Sequence, residues 1–385
     1  MAGFFTAPRF AWGPGAVEQL SGIEVARALV AVDPAVARAD GHRRVVEELA
    51  KTDAAVEVVV LDAAPDREAA VRALAERLGQ IGADTLVAVG GGRAIDAAKG
   101  ARLLAARPTT TLGALLPVLE LAEPGPVRLI AVPTTSGSGA EASGTADLWD
   151  AAGRPVEPTH RALAPAWALV DAAMARGLPT ERIVDGALES AALAIEAYVS
   201  AWTNPFSDAL ARDAATTVVR RLPSALRWAD DAGARADLHY AASRAGLAVA
   251  NAQRGLAHAL ARALEPATDL PYGRLLGIAL PFVLEFDHPS ARERLEELAR
   301  TVAVPDETGR IAVVPWPLKL RRLYDLVRFP ADLAAAGVPR ARVDDGLPRV
   351  VERTLGSPAV LANPRVPSAA DVAAIVRAMA GPGAD

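Results

Sequence analysis

The chain contains no cysteine, which removes disulfides, thiolate nucleophiles and thiolate metal sites in one step. Lysine is nearly as scarce. Lys51, Lys99 and Lys319 are the only lysines, and arginine supplies almost all of the basic charge. With 46 acidic against 41 basic residues the formal net charge is −5. That balance argues against a nucleic acid or an anionic membrane as partner, since both are met by basic faces. No apolar run is suited to crossing a bilayer. Leu275 to Leu284 is too short, and the stretch around Ala187 to Val199 carries Glu189 and Glu196. The opening MAGFFTAPRFAW lacks the charged-then-apolar layout of a secretory signal. These absences lead us to expect a cytoplasmic protein.

What is present fits a globular chain. Apolar residues make up 51% and charged residues 23% of 385 positions, enough for two domains with real cores. Ala28–Val32, Val56–Leu61, Leu86–Val89 and Leu129–Val132 read as strands buried on both faces. Between them, Asp66–Leu78 and Ala94–Ala106 have helical spacing, so strand and helix alternate as in an α/β domain with a parallel sheet. Beyond about residue 155 helical segments dominate: 185–202, 209–229, 235–264 and 290–302. We therefore expect an α/β domain over 1–155 and an all-helical domain over 156–385, with the active site in a cleft between domains. Residues 303–317, with three prolines, read as an irregular connection.

The sharpest local signal is Gly90-Gly91-Gly92-Arg93-Ala94-Ile95-Asp96-Ala97-Ala98-Lys99, which follows the third predicted strand and opens a helix. Glycines let a ligand approach the backbone, and the helix start offers N–H groups and a positive dipole end, a combination that suits a pyrophosphate. The same residues also suit a tight strand-to-helix turn without a ligand. Asp33 ends the first predicted strand. It is either a ribose acceptor that disfavours a 2′-phosphate, and hence NADP, or an ordinary turn residue. A second loop, Pro133-Thr134-Thr135-Ser136-Gly137-Ser138-Gly139-Ala140-Glu141, follows the fourth predicted strand.

The segments GGGRAIDAAK and PTTSGSGAE closely resemble paired motifs of the iron-containing (group III) alcohol dehydrogenase family. Further pieces match in order along the chain: FAWGPGA, LVD at 169–171, IEAYVS at 195–200, NPFSD at 204–208, NAQRGLAHA at 251–259 and NPR at 363–365. The resemblance implies the dehydroquinate synthase-like architecture, an N-terminal dinucleotide-binding domain followed by an all-α domain, and NAD as cofactor. It carries over Asp33, Gly90, Gly91, Gly92, Thr134 and Thr135 as cofactor contacts, with Asp96 and Lys99 of the same motif. Arg93 stands where the family has serine, and would either add charge near the pyrophosphate or narrow the pocket.

The resemblance also implies a divalent metal held by one Asp and three His, and here the pattern breaks. The Asp position is Glu189, the first His position Leu193, the second is kept as His258, and the third is Tyr272. One imidazole and one carboxylate make a poor site for iron or zinc, which ordinarily takes three protein ligands or more. We therefore expect no catalytic metal. The maleylacetate reductases, a branch of the same family, are understood to work without one. In its place Tyr272 or His258 would take the proton, with Glu189 tuning whichever it reaches. Arg262 sits where the family has a further histidine. Its fork would suit a substrate carboxylate, although an ion pair is the alternative for Arg262, as simple packing is for Tyr272.

The function expected is NAD-dependent interconversion of a hydroxyl and a carbonyl on a small-molecule or peptide substrate bearing a carboxylate. Divergent relatives that oxidise a peptide's C-terminal threonine, with loss of CO₂, are one version. Alternatives are a maleylacetate reductase-like enzyme or a catalytically silent NAD-binding partner. A dehydroquinate synthase-like cyclase is disfavoured, because it needs a His-ligated metal and a lysine-rich phosphate pocket. By family analogy the chain would form a homodimer.

Overall fold

A computed structural model describes residues 8–115, 125–227, 231–302 and 314–382. The chain divides into two compact units, Met1–Leu178 and Pro179–Asp385.

In the first unit the strands are β1 (Arg9–Trp12), β2 (Arg27–Val32), β3 (Ala55–Val60), β4 (Thr85–Gly90), β5 (Arg128–Pro133), β6 (Leu148–Trp149), β7 (Pro155–Val156) and β8 (Trp167–Val170). Six form one sheet in the order β1-β8-β5-β4-β2-β3, every pairing parallel, while β6 and β7 form a separate antiparallel pair. The helices are α1 (Pro34–Arg38), α2 (Arg43–Leu49), α3 (Glu68–Ile81) and α4 (Gly92–Ala106). Alternation along each strand sends residues to opposite faces. Leu29, Ala31, Leu86, Ala88, Leu129 and Ala131 pack under Val71, Leu74 and Leu78 of α3 and Ile95 of α4. Val30, Val32, Val87, Val89, Ile130 and Val132 pack against Val17, Leu20 and the α2 residues Val45 and Leu49. Both faces are covered, which is why the central strands read as continuous apolar runs.

Two expectations shift. Because β1 joins the sheet edge, the glycine turn follows the fourth strand in chain order, not the third. And β8 inserts between β1 and β5, which carries this unit past the expected boundary at residue 155.

The second unit holds α5 (Thr180–Val199), α6 (Pro205–Arg227), α7 (Ala232–Ala252), α8 (Leu256–Thr268), α9 (Tyr272–Thr301), α10 (Trp316–Val327), α11 (Arg340–Gly356) and α12 (Ala369–Met379). Among its described residues there is no strand. From Ile183 to Val199 every residue of α5 except Glu189 is buried, the mark of a central helix, and α6, α7 and α9 pack around it. The expected helix over 235–264 is two helices. Gln253 takes a left-handed φ of 67° and Gly255 is extended, so the ladder breaks between α7 and α8. Of the expected 303–317 connection, residues 303–313 lie outside the described residues. Pro315 and Pro317 open α10, where a missing N–H does little harm. Among the described residues no helix is long and apolar enough to cross a membrane.

Candidate active site

The nucleotide-binding candidates meet at the carboxyl ends of β2, β4 and β5. In sheet order, β3 lies to one side of β2 and the chain then returns to β4 and β5 on the other. Ligands of open α/β sheets settle at such a reversal. The three glycines bring the strand ends together. A Cβ on Gly90 would lie 2.6 Å from Ala94 Cβ and 2.9 Å from Asp33 Cβ, and one on Gly92 only 2.5 Å from Ser138 Oγ. On Gly91 it would meet Thr135 at 3.1 Å. None of the three has a positive φ, so close approach, not backbone conformation, demands glycine here. Gly91 caps α4 without a side-chain hydrogen bond, which leaves the first turn suited to an anion.

Around that turn the individual residues divide by role. Asp33 caps α1, Oδ1 accepting from Ala35 N at 2.8 Å. Thr134 N donates to Gly90 O at 3.0 Å, and Thr134 is buried while Thr135 is half-buried. Lys99 was expected near the cofactor, but its side chain is fully buried. Nζ donates to Thr145 O (2.6 Å), Asp96 Oδ1 (3.0 Å) and Ser143 Oγ (3.4 Å). Burial pushes the Asp96 carboxyl up to about 6, Lys99 holding it down and Asp147 adding to the rise. Asp96 and Lys99 thus form a brace that ties α4 to the segment 143–145. Arg93 is engaged by an acidic partner. Nε and Nη2 both donate to Oδ1 of the buried Asp66, at 3.0 and 2.6 Å.

In the second unit, α5, α8 and α9 bring the altered positions together. Tyr272 opens α9, and its hydroxyl lies 2.7 Å from His258 Nδ1, the two rings set edge to face at 69°. In the Nε2–H tautomer the phenol donates to Nδ1. Glu189 sits beside the start of α9. A Cβ on Gly273 would stand 3.0 Å from Glu189 Oε2, which puts a carboxylate by the positive end of the helix that carries Tyr272. One turn earlier on α5, Asp185 Oδ1 accepts from Arg274 Nε at 3.0 Å. Leu193 is 3% exposed and apolar. Arg262, expected to face a substrate, is 4% exposed and its Nη1 donates to Glu265 Oε2 at 2.5 Å, so the ion-pair reading describes it as it stands.

Sequence reasoning missed a buried polar group behind His258. Glu196, Asp287 and Asn363 are each 3% exposed or less. Asn363 Nδ2 donates to Asp287 Oδ1 at 2.6 Å. Glu196 and Asn363 lie inside the quoted IEAYVS and NPR motifs, but their partners lie tens of residues away, and nothing local announces them. Burial pushes the Asp287 carboxyl up to about 8; Asn363 holds it down, Glu196 adds to the rise and Arg365 opposes it. The folded-state value lies above the unfolded one near ~4, so this carboxyl contributes stability at low pH that is lost as pH rises through about 8. Asp287→Asn is therefore expected to flatten the decline between pH 4 and 8. In thermal melts it should raise Tm by a few degrees at pH 8, with little change at pH 4. An unchanged pH slope would refute this.

Family models match both units: the iron-containing alcohol dehydrogenase model over residues 7–172, and the model of the C-terminal region of the Fe-containing alcohol dehydrogenase family over residues 183–380. The chain belongs to the iron-containing alcohol dehydrogenase family. The probable alcohol dehydrogenase EutG of Escherichia coli (strain K12) is 34% identical over 244 residues, covering 63% of this chain and 61% of that protein. The chain thus spans about 61% of the length of the first curated relatives it matches. The iron-containing alcohol dehydrogenase of Thermococcus thioreducens superposes with a TM-score of 0.88 at 27% identity, over 98% of this chain and 99% of that one. Sulfoacetaldehyde reductase of Bifidobacterium kashiwanohense, solved in complex with NAD+, shares the fold with a TM-score of 0.84 at 21% identity, over 99% of each chain.

Of the four positions where the iron-containing alcohol dehydrogenase family places metal ligands, only Glu189 and His258 carry a carboxylate or imidazole donor in this member. Leu193 has no donor atom, and His258 Nδ1 faces the Tyr272 hydroxyl. Glu189 points to the start of α9. No step below is routed through a metal at those positions.

Proposed function

We propose that this family member is an NAD-dependent oxidoreductase that interconverts a hydroxyl and a carbonyl group, moving the proton through Tyr272 and His258 without a metal at the family positions. The observation that carries the reading is the 2.7 Å contact between Tyr272 Oη and His258 Nδ1. Bound nicotinamide would supply or accept the hydride. A metal would lower the pKa of the substrate hydroxyl; without it a side chain has to take that proton. Tyr272 Oη accepts it as the phenolic proton passes to His258 Nδ1, leaving an imidazolium. In reduction the same atoms run backwards, and Tyr272 donates to the oxygen of the developing alkoxide. Glu189, at the start of α9, would hold Tyr272 in place.

A carboxylate on the substrate, small molecule or peptide terminus, enters this reading only through Arg262, which would exchange Glu265 for it. Arg262→Ala should then raise KM for a hydroxy acid while leaving KM for the matching neutral alcohol unchanged; equal effects on both would remove the clamp. Asp33 favours NAD. Asp33→Ser is expected to lower the preference for NAD over NADP by roughly tenfold, read as the ratio of kcat/KM values; an unchanged ratio would make Asp33 a helix cap and nothing more. A cytoplasmic homodimer completes the proposal, and light scattering tests the assembly.

The deciding experiment is NADH oxidation against a panel of aldehydes, ketones and keto acids, with and without chelator, alongside elemental analysis for Fe, Zn and Ni. Turnover that survives chelation, with metal well below stoichiometric, supports the reading. Stoichiometric metal with chelator-sensitive turnover overturns it. NADH binding without turnover of any carbonyl would point instead to a silent partner protein.

A further inference from the structure

α8 begins at Leu256, and its N-cap, Gly255, has no side chain to hold the first N–H groups. They are held from elsewhere. Asn363 Oδ1 accepts from Leu256 N at 2.9 Å, and Glu196 Oε1 accepts from Ala257 N at 2.7 Å and His258 N at 3.2 Å. Both caps are buried and come from distant parts of the chain. Gly255 is the residue that lets them in: a Cβ there would stand 2.8 Å from Asn363 Oδ1 and 2.9 Å from Glu196 Oε1. Asn363 is itself fixed by donating to Asp287 Oδ1 at 2.6 Å and Arg365 O at 2.8 Å.

This is a heavier construction than a helix start requires. A serine at position 255 would cap α8 locally without burying a carboxylate. Burial pushes the Glu196 carboxyl up, while His258 and the donated N–H groups pull it down. Glu196 Oε2 has no hydrogen-bond partner among the described residues. His258 is the third residue of α8, so the grip falls on the turn that carries the imidazole.

We infer that Glu196 and Asn363 are positioning residues for His258: holding the first turn of α8, they set its ring against Tyr272. The proposed Tyr272–His258 proton transfer would depend on this placement, but the placement does not depend on that transfer.

The test uses the full-length protein labelled with 15N-histidine, the His258 ring signals being assigned by their loss in His258→Gln. Glu196→Ala is expected to move the Nδ1 signal towards its position in Tyr272→Phe, where the hydrogen bond is gone. Glu196→Gln, whose amide oxygen still accepts both N–H groups, should keep the signal near its wild-type position. In NADH-dependent reduction of propanal, kcat should fall at least tenfold in Glu196→Ala and by less in Glu196→Gln, with NADH Kd unchanged in both. A folded Glu196→Ala whose ring signal and kcat match wild type overturns the inference. If that variant does not fold, Glu196→Asp, which withdraws the carboxylate by one methylene, is read by the same criteria. A shifted ring signal in Glu196→Ala together with wild-type kcat in Tyr272→Phe would uphold the positioning and overturn the proton-transfer reading, so the two failures are distinguishable.

Discussion

Tyr272→Phe lowers kcat by roughly 10²- to 10⁴-fold if the phenol is the group that exchanges a proton with substrate, the range seen when a general acid–base is removed. NADH affinity is expected to stay at its wild-type value, because the glycine turn lies in the other unit. Stability separates this from loss of packing. Phenylalanine keeps the edge-to-face contact with His258, whose ring centroid lies 5.7 Å away, and gives up the hydrogen bond to His258 Nδ1, about 1 kcal/mol. A variant that melts within a few degrees of wild type yet barely turns over places the loss in chemistry. One that turns over normally assigns Tyr272 to packing. His258→Gln should show the same split, and the double variant should be little worse than either single one, since the two groups act as a unit.

Gly92→Ala is expected to weaken NADH binding by roughly 10- to 100-fold, the equivalent of 1–3 kcal/mol for forcing a methyl group into a filled space. The added Cβ would stand 2.5 Å from Ser138 Oγ and 2.8 Å from Ser138 Cβ. Either the start of α4 or the loop after β5 has to move, and both belong to the proposed cofactor site. Ser138→Gly removes both offending atoms, so the double variant should recover most of the affinity. Fluorescence titration with NADH decides it: an unaffected Kd in Gly92→Ala would show that the turn yields without disturbing the cofactor, and failure of Ser138→Gly to rescue would point to a different clash.

β2, β4 and β5 could be read from the sequence because burial on both faces leaves a signature within each short segment; β3 was expected to share that burial but lies at the sheet edge with Val58 and Val60 exposed. Val30 and Leu86 are fully buried, and so are their neighbours in the chain. β1 escaped because it is four residues long and ends in Trp12, which is 73% exposed. The break between α7 and α8 escaped because Gln253 gives no local warning of a left-handed φ. Within the site, the motif order identified the family and the altered ligand positions, since those are statements about residue type. What the sequence could not supply was pairing across the chain: Tyr272 with His258, Glu196 with the start of α8, and Arg93 with Asp66. Arg262 shows the opposite failure. Its spacing from His258 suggested a shared face and a substrate contact, while Glu265, three residues on, already takes one of its nitrogens.

The brace at Lys99 has a practical corollary for anyone handling this protein. Of the three lysines, the side chains of Lys99 and Lys319 are enclosed, the latter donating to the carbonyls of Ala299 and Val302, and only Lys51, with its side chain 60% exposed, meets solvent. Amine-reactive dyes and crosslinkers should therefore modify the lysines of the native chain at Lys51, and reach the other two ammonium groups only as the fold opens. Peptide mapping after brief acylation along a denaturant series would then follow the two units separately, because Lys99 reports on the sheet unit and Lys319 on the helical one.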